Sequence, residues 1–244
     1  MKKLAFSIAC VAALVANVSY ADDTESFNGF YGGMNFGYVN QVTTQKTVDT
    51  FGGVYGTFVP AQTGFTTQAF SVGPVLGYGQ AVYKHIYLGE EFFYNAFVNN
   101  SDMTNSTTLN NYPYSTKTSD QYGLALLPGY IITSNWLVYG RVSFAVQDET
   151  VNTVQLTSSD NGNTVYTAPY KVDLTPYAVG VGLGTSYQIM PHLRARLEYH
   201  HDFVENEKIY PPGPFIPPGS PIIDLSSEIA AQSDSVTFGL IYQF

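Results

Sequence analysis

The densest grouping of acid–base side chains is Leu197-Glu198-Tyr199-His200-His201-Asp202-Phe203, where two histidines are flanked by two carboxylates. Histidine beside a carboxylate is the pairing used in general acid–base catalysis and in hydrolytic relays. Acyl hydrolysis also needs a serine nucleophile within hydrogen-bond reach of the histidine, and this stretch contains none. Neighbouring residues of a strand point to opposite faces, so His200 and His201 make a poor metal pair. The reading assigns no catalytic residue, no metal ligand and no cofactor.

A different charged set is more coherent. Arg194, Arg196, Glu198, His200 and Asp202 alternate with apolar or aromatic residues, as Arg141 does within Tyr139, Arg141, Ser143, Ala145 and Gln147, and as Glu91 does within Ile86–Val98. An unpaired ion buried away from water costs several kcal/mol, so on one enclosed face the three arginines and three acids are expected to form a single paired network.

The elements that would carry these side chains follow from a period of two. Eight runs alternate between a large apolar face and a small or polar one: Asn28–Val39, Gln68–Gln80, Ile86–Val98, Gln121–Ile132, Trp136–Gln147, Val172–Gln188, Leu193–Val204 and Ser233–Phe244. Such alternation specifies strands. The connections alternate in length: Tyr83-Lys84-His85, Thr133-Ser134-Asn135 and Met190-Pro191-His192 are tight. Asn40–Thr67, Asn99–Asp120, Asp148–Lys171 and Glu205–Gln232 are each twenty or more residues and read as loops. Short turns at one end and long connections at the other are the pattern of an up-and-down transmembrane barrel. A strand of about ten residues at ~3.3 Å each, tilted by ~40°, rises about 25 Å, the height of an outer membrane's apolar band. The fold class expected is all-β, a closed eight-stranded antiparallel up-and-down transmembrane β-barrel.

The same alternation could describe a soluble cup with a greasy cavity. The charged residues decide against it, because Glu91, Arg141, Arg196 and Glu198 fall at similar depth from the short turns and need one another. The sixth run's Gly180, Gly182 and Gly184 lie between them in the strand order and are expected to make room for arginine side chains crossing the lumen. Tyr78, Tyr87, Tyr130, Trp136 and Tyr187 flank the short turns and are read as a girdle at the headgroup level. Glu91 is assigned to the lumen and Glu90 to the outside near the interface. Pro74 and Pro128 must occupy bulges or weakly paired positions.

The two ends add a destination. Met1-Lys2-Lys3, an apolar run from Leu4 to Val18 and the Ser19-Tyr20-Ala21 site predict a signal peptide over residues 1–21, leaving a barrel domain over 22–244. The only cysteine, Cys10, leaves with it, which excludes disulfides and thiolate sites from the mature chain. Loss of Lys2 and Lys3 takes the formal charge from −9 to −11, which disfavours nucleic acid as a partner. At the other end Val236, Phe238, Leu240, Tyr242 and Phe244 alternate to the last residue, and Tyr242 with Phe244 is read as an assembly signal.

Phe27-Asn28-Gly29-Phe30-Tyr31-Gly32-Gly33, with Phe36-Gly37-Tyr38, resembles the opening of the small porin-like outer-membrane surface antigens and opacity-type proteins. Tyr87-Leu88-Gly89-Glu90-Glu91 and the terminal Phe244 are similar too. The resemblance implies an eight-stranded barrel in the bacterial outer membrane with variable surface loops. It carries over no catalytic residue and no ligand.

Three functions are compatible with these residues. The first is a monomeric structural and adhesin-like barrel whose partners are outer-membrane lipids, the assembly machinery that reads its C-terminus, and a host or surface ligand met by its loops. In the last loop, Tyr210 to Pro221 is rich in proline, which holds Phe215 and Ile216 up for contact at low entropic cost, with Tyr210 beside them. The second is a narrow porin-like channel along the arginine and carboxylate ladder. The third is a lipid A modifying enzyme or an outer-membrane protease built on His200 and its neighbours.

Overall fold

A computed structural model describes residues 25–51, 62–98, 115–158, 165–209 and 223–244. The expected leader with Cys10, and the loop residues Tyr210, Phe215 and Ile216, lie outside these residues.

Among the described residues a short 3-10 turn, Glu25–Phe27, precedes ten strands. They are β1 (Gly29–Phe51), β2 (Gln62–Tyr83), β3 (Ile86–Val98), β4 (Ser115–Thr133), β5 (Trp136–Ser158), β6 (Val165–Leu174), β7 (Tyr177–Met190), β8 (Leu193–Val204), β9 (Glu207–Ile209) and β10 (Ile223–Gln243). All pair antiparallel with their neighbours, and β1 pairs with both β2 and β10, so the sheet closes on itself. Strands β6 and β7 keep one register along β5, with Leu174 opposite Glu149 and Tyr177 opposite Val146, and so form one stave parted at Thr175 and Pro176. Strand β9 continues β8 along β10. The result is an eight-stave closed barrel.

Alternation sorts the side chains as the charge argument requires. Phe30 is 68% exposed and Leu183 70%, whereas Glu91 is 1% exposed and Arg196 4%. In water this would be an inside-out protein, since Lys, Glu and Arg are rarely buried and large apolar patches are rarely exposed. In a bilayer it is the expected order: acyl chains cover the apolar face and the lumen holds the polar one. The chain is therefore a transmembrane barrel of the outer-membrane type.

Aromatic pairs ring the outer wall at two levels. Near the short turns Phe30 meets Tyr78 edge-on at 4.9 Å, His85 lies 5.6 Å from Tyr130, and Tyr242 meets Phe244 at 5.4 Å. Toward the other end Tyr38 meets Phe70 at 5.5 Å, and Phe144 stacks on Tyr177 at 5.6 Å. Amphipathic rings settle at both headgroup levels. Tyr87 is not part of the lower girdle. It is 2% exposed and points into the lumen, because it shares the parity of Glu91 four residues on.

The long connections depart from expectation. Strand β1 runs to Phe51, β2 starts at Gln62, β4 at Ser115 and β10 at Ile223, while β5 continues to Ser158 and returns as β6. Much of what reads as loop is thus hairpin. Stretches such as Gln41-Val42-Thr43-Thr44 are rich in β-branched residues and keep the alternation, with Gln41 and Thr43 buried inside and Val42 outside. The wall stands taller than the apolar band.

Pro74 and Pro128 each sit in a gap of one ladder. Pairing of β2 with β3 skips Gly73 and Pro74, and pairing of β4 with β5 skips Leu127 and Pro128, while Pro74 stays opposite Met34 and Pro128 opposite Leu88. The register is the same on both sides of each gap, so the missing N–H is absorbed without a bulge.

Val142 is central in the outward set of β5. Val142→Arg should cost about 2–4 kcal/mol when the chain is unfolded by urea from lipid vesicles. An unchanged unfolding midpoint would show that this face does not meet hydrocarbon.

Candidate functional site

The polar chemistry lies in the lumen, which is filled in layers. At the floor, Phe27 is fully buried and meets the Tyr87 ring edge-on at 6.5 Å. Gly29 turns the chain into β1 with φ of 109°, a conformation costly for residues with a Cβ. The Gln243 amide donates to the carbonyls of Asn28 and Phe30 at 2.9 and 3.0 Å, tying this plug to the last strand. The Arg194 guanidinium lies over the rings of Phe27 and Tyr31, 5.4 and 5.1 Å from their centroids. The cavity beside it, bordered by Tyr31, Tyr139 and Arg196, is about 10 Å³, room for roughly one water.

Above the floor lies the ion cluster. Arg141 Nη1 donates to Glu91 Oε1 at 3.0 Å and is 3.3 Å from Glu198 Oε1. Arg196 Nη1 donates to Glu91 Oε2, and its Nη2 donates to Asn35 Oδ1 at 2.9 Å. Tyr139 donates to Glu198 at 3.0 Å and Tyr31 to Glu91 at 3.3 Å. Arg141 also lies over the Phe93 ring at 4.5 Å. Carboxylates from β3 and β8 are thus bridged by guanidiniums from β5 and β8, so this cluster ties one side of the barrel to the other.

The next layer holds Asp202, which accepts from Gln121 at 3.2 Å and faces His200 Nε2 at 3.3 Å. His200 Nδ1 is 3.7 Å from Glu198 Oε1. Ser235, from the neighbouring strand, stands 2.8 Å from His200 Nδ1 and 3.0 Å from Nε2. Serine, histidine and aspartate therefore do meet, which the local sequence around His200 does not reveal. One oxygen that near both ring nitrogens cannot lie on the lone-pair axis of each, as a directed proton transfer requires. All three residues are buried between the ion cluster and the layer above.

That upper layer crosses the lumen. Thr118 donates to Gln41 at 3.0 Å and the Gln147 amide donates to Thr118 at 3.2 Å. Glu149 is the next inward residue of β5. It is 3% exposed, and its Oε1 has no hydrogen-bond partner among the described residues. Its outward neighbours Asp148 and Thr150 are polar, which places it above the apolar band. Burial, with the nearby Glu207 charge, pushes its carboxyl up to about 7. Val151 and Ile229, with Val172 and Leu174 packed against them, form an apolar cap over this level.

The expected single network is divided. Glu91, Arg141, Arg196 and Glu198 come together, Asp202 pairs with His200 and Gln121, and Arg194 rests on aromatic faces. The glycines of β7 do not make room for arginines. A Cβ at Gly184 would enter the Tyr139 ring, one at Gly182 would meet His200, and one at Gly180 would meet Asp202 and Ser143. Gly77 clears Tyr31 and Gly79 clears Tyr87 in the same way as Gly184 clears Tyr139, so these three glycines seat lumen tyrosines. The sequence alone does not mark Asn35, Tyr139, Gln121, Ser235 and Glu149 as a site. Continuing the parity of β5 two residues past Gln147 would have exposed Glu149. The partners of the other four lie on other staves.

No protein family matches the chain, and no curated protein matches it. Solved structures similar to it are membrane barrels. The outer-membrane protease OmpT from Escherichia coli is 9% identical, covering 93% of this chain and 99% of that one with a TM-score of 0.44. The Neisserial surface protein A is 11% identical, covering 85% and 97% with a TM-score of 0.40. The attachment invasion locus protein Ail of Yersinia pestis is 11% identical, covering 86% and 99% with a TM-score of 0.33.

Glu91→Ala leaves the buried Arg196 guanidinium without a carboxylate and Arg141 with Glu198 alone, and should cost about 3–5 kcal/mol. Arg194→Met, which keeps the contact with Phe27 and Tyr31, should cost about 1 kcal/mol or less. Equal losses in urea titrations of folded barrels would show that the cluster is not a unit.

Glu149 gives a pH dependence with a definite sign. Between about 4.5, where the unfolded carboxyl titrates, and about 7, the native chain holds a proton that the unfolded chain has lost. Stability therefore falls as pH rises through that window and is level above it. In chelator-containing buffer Glu149→Gln should abolish this slope and be more stable than the parent at pH 8 by about 3 kcal/mol. Parallel stability curves for the two proteins would exclude the assignment.

Proposed function

We propose that this outer-membrane barrel does no chemistry of its own and acts as a scaffold that presents its outward hairpins for surface contact. The observation that carries this reading is the filled lumen. Eight staves enclose only enough width for their own side chains. Here Phe27, the ion cluster, the Asp202–His200 layer and the Thr118–Gln41 contact occupy successive levels. A continuous path for solutes would have to break buried ion pairs whose separation is expensive.

The taller half of the wall supports the same reading. Lipid needs staves only about ten residues long, yet β1 has 23 residues and β5 has 23. The surplus carries the described ends of the strands above the headgroups. Tyr210, Phe215 and Ile216 belong to one of those segments and are the proposed contact residues for a host or surface ligand. Tyr242 and Phe244, outward on the closing strand, are proposed to engage the assembly machinery. The barrel is proposed to act as a monomer, because the lipid-facing wall is closed at every level within the band.

Planar-bilayer recordings test this directly. The purified barrel should leave the current flat at moderate voltage, and Arg196→Ala should at most admit brief irregular openings. Stable ohmic steps in the parent that change in size in Arg196→Ala would establish a channel. Protease applied to intact cells should cut first between residues 210 and 222 and leave the staves intact.

A further inference from the structure

The upper mouth contains a buried carboxylate that meets no cation among the described residues. Glu149 is buried and its Oε1 is unpartnered among the described residues. The other buried acids among the described residues, Glu91, Glu198 and Asp202, each meet an arginine, a histidine or an amide. Glu207 faces inward on the same side of the wall as Ile229, its partner in register, and Ile229 packs on Val151, the next inward residue after Glu149. Thr43 supplies a second orphan. It is 1% exposed and its hydroxyl has no partner among the described residues. It is the next inward residue above Gln41, which accepts from Thr118, and Thr118 lies directly opposite Glu149 in the sheet. Hard oxygen donors of this kind, two carboxylates and a hydroxyl, are the ligand set of an alkaline-earth cation.

We infer that Glu149 and Glu207, with the Thr43 hydroxyl, hold a divalent cation of the calcium type at the extracellular mouth of the lumen. Such an ion would satisfy the orphan Oε1 and remove the repulsion between the two acids. Bound beneath the cap of Val151, Ile229, Val172 and Leu174, it would pin β5 to β9 above the level where the bilayer supports the wall. This inference does not rest on the scaffold reading and would hold equally for a channel. Affinity is expected in the range of about 0.1–1 mM typical of extracellular calcium sites, since the site has only two charged ligands.

The experiment is a calcium titration of the folded, full-length mature barrel in phosphatidylcholine vesicles at pH 8, read as the urea midpoint against an EDTA reference. Calcium should raise the midpoint of the parent, Glu207→Gln should need at least tenfold more calcium for the same shift, and Glu149→Gln should not respond. Glu90→Gln, an acid on the outer wall, should respond as the parent does. A parent midpoint that calcium leaves unmoved, or a Glu149→Gln variant that shifts as far as the parent, would overturn the site. The Gln variants preserve shape, and their folding is checked by heat-modifiable electrophoretic mobility before titration. Loss of the calcium shift would leave the bilayer recordings unaffected, so the two readings fail separately.

Discussion

Hydrocarbon offers no hydrogen bonds, so a backbone that crosses it must satisfy every N–H and C=O from within. A sheet does this only by closing, and the pairing of β1 with β10 is the closure on which the remaining features of this barrel depend. Closure fixes which side chains share the interior. Once the outer face is given to Phe, Leu, Val and Tyr, the inner face has no solvent to hide polar groups in and must neutralise them internally. Glu91, 1% exposed and met by both Arg141 and Arg196, is the clearest consequence. Closure also explains the treatment of proline. With no free edge available, Pro74 and Pro128 are accommodated by dropping rungs on one side while the other side holds the register.

Alternation within one strand is a local property, and so the face of nearly every membrane-level residue was legible in the sequence. Arg141, Arg196, Glu198 and Asp202 point inward because residues two apart must. The same parity places Tyr87 inside, and reading it as a girdle residue from its nearness to a turn let position override periodicity. Depth along the stave is also local, which is why the ion cluster could be anticipated as a set. Partner choice is not local. Whether Asp202 meets an arginine or His200 depends on stagger between staves and on side-chain length, and neither is written in a single run. Arg194 shows the effect. It is two residues from Arg196 on the same face, yet it sits against Phe27 and Tyr31, because the N-terminal plug fills the space where a carboxylate would have to be.

The glycines illustrate a similar limit. A run such as Gly180, Gly182 and Gly184 announces missing volume but not what occupies it. The occupants are Asp202, His200 and Tyr139, each from a neighbouring stave. Tyrosine laid across a neighbouring glycine recurs at Tyr31 with Gly77, Tyr87 with Gly79 and Tyr139 with Gly184. In each case a large ring covers the backbone that glycine leaves bare. Its hydroxyl can then reach a buried carboxylate, as Tyr31 reaches Glu91 and Tyr139 reaches Glu198. Small residues and ions in the lumen are therefore one arrangement: the glycines set the ring positions, and the rings supply donors that the arginines alone would not provide.

The upper mouth follows a different rule from the middle. Within the membrane the wall is rigidly enclosed, and the acids there are paired. Above it, β6 is paired only with β5, and β9 contributes three residues. A wall with fewer paired edges has less to hold its interior shut. The Val151 and Ile229 cap supplies some closure by apolar contact, yet Glu149 lies beneath it at a neutralising cost that neither the cap nor the neighbouring Thr118 and Gln147 offsets. A residue placed there by parity alone could be Gln or Thr, like the others of its layer. That a carboxylate occupies the position instead, with Glu207 inward beside Ile229 on the facing stave, sets the requirement for a counter-charge at the point where the staves leave the support of the bilayer.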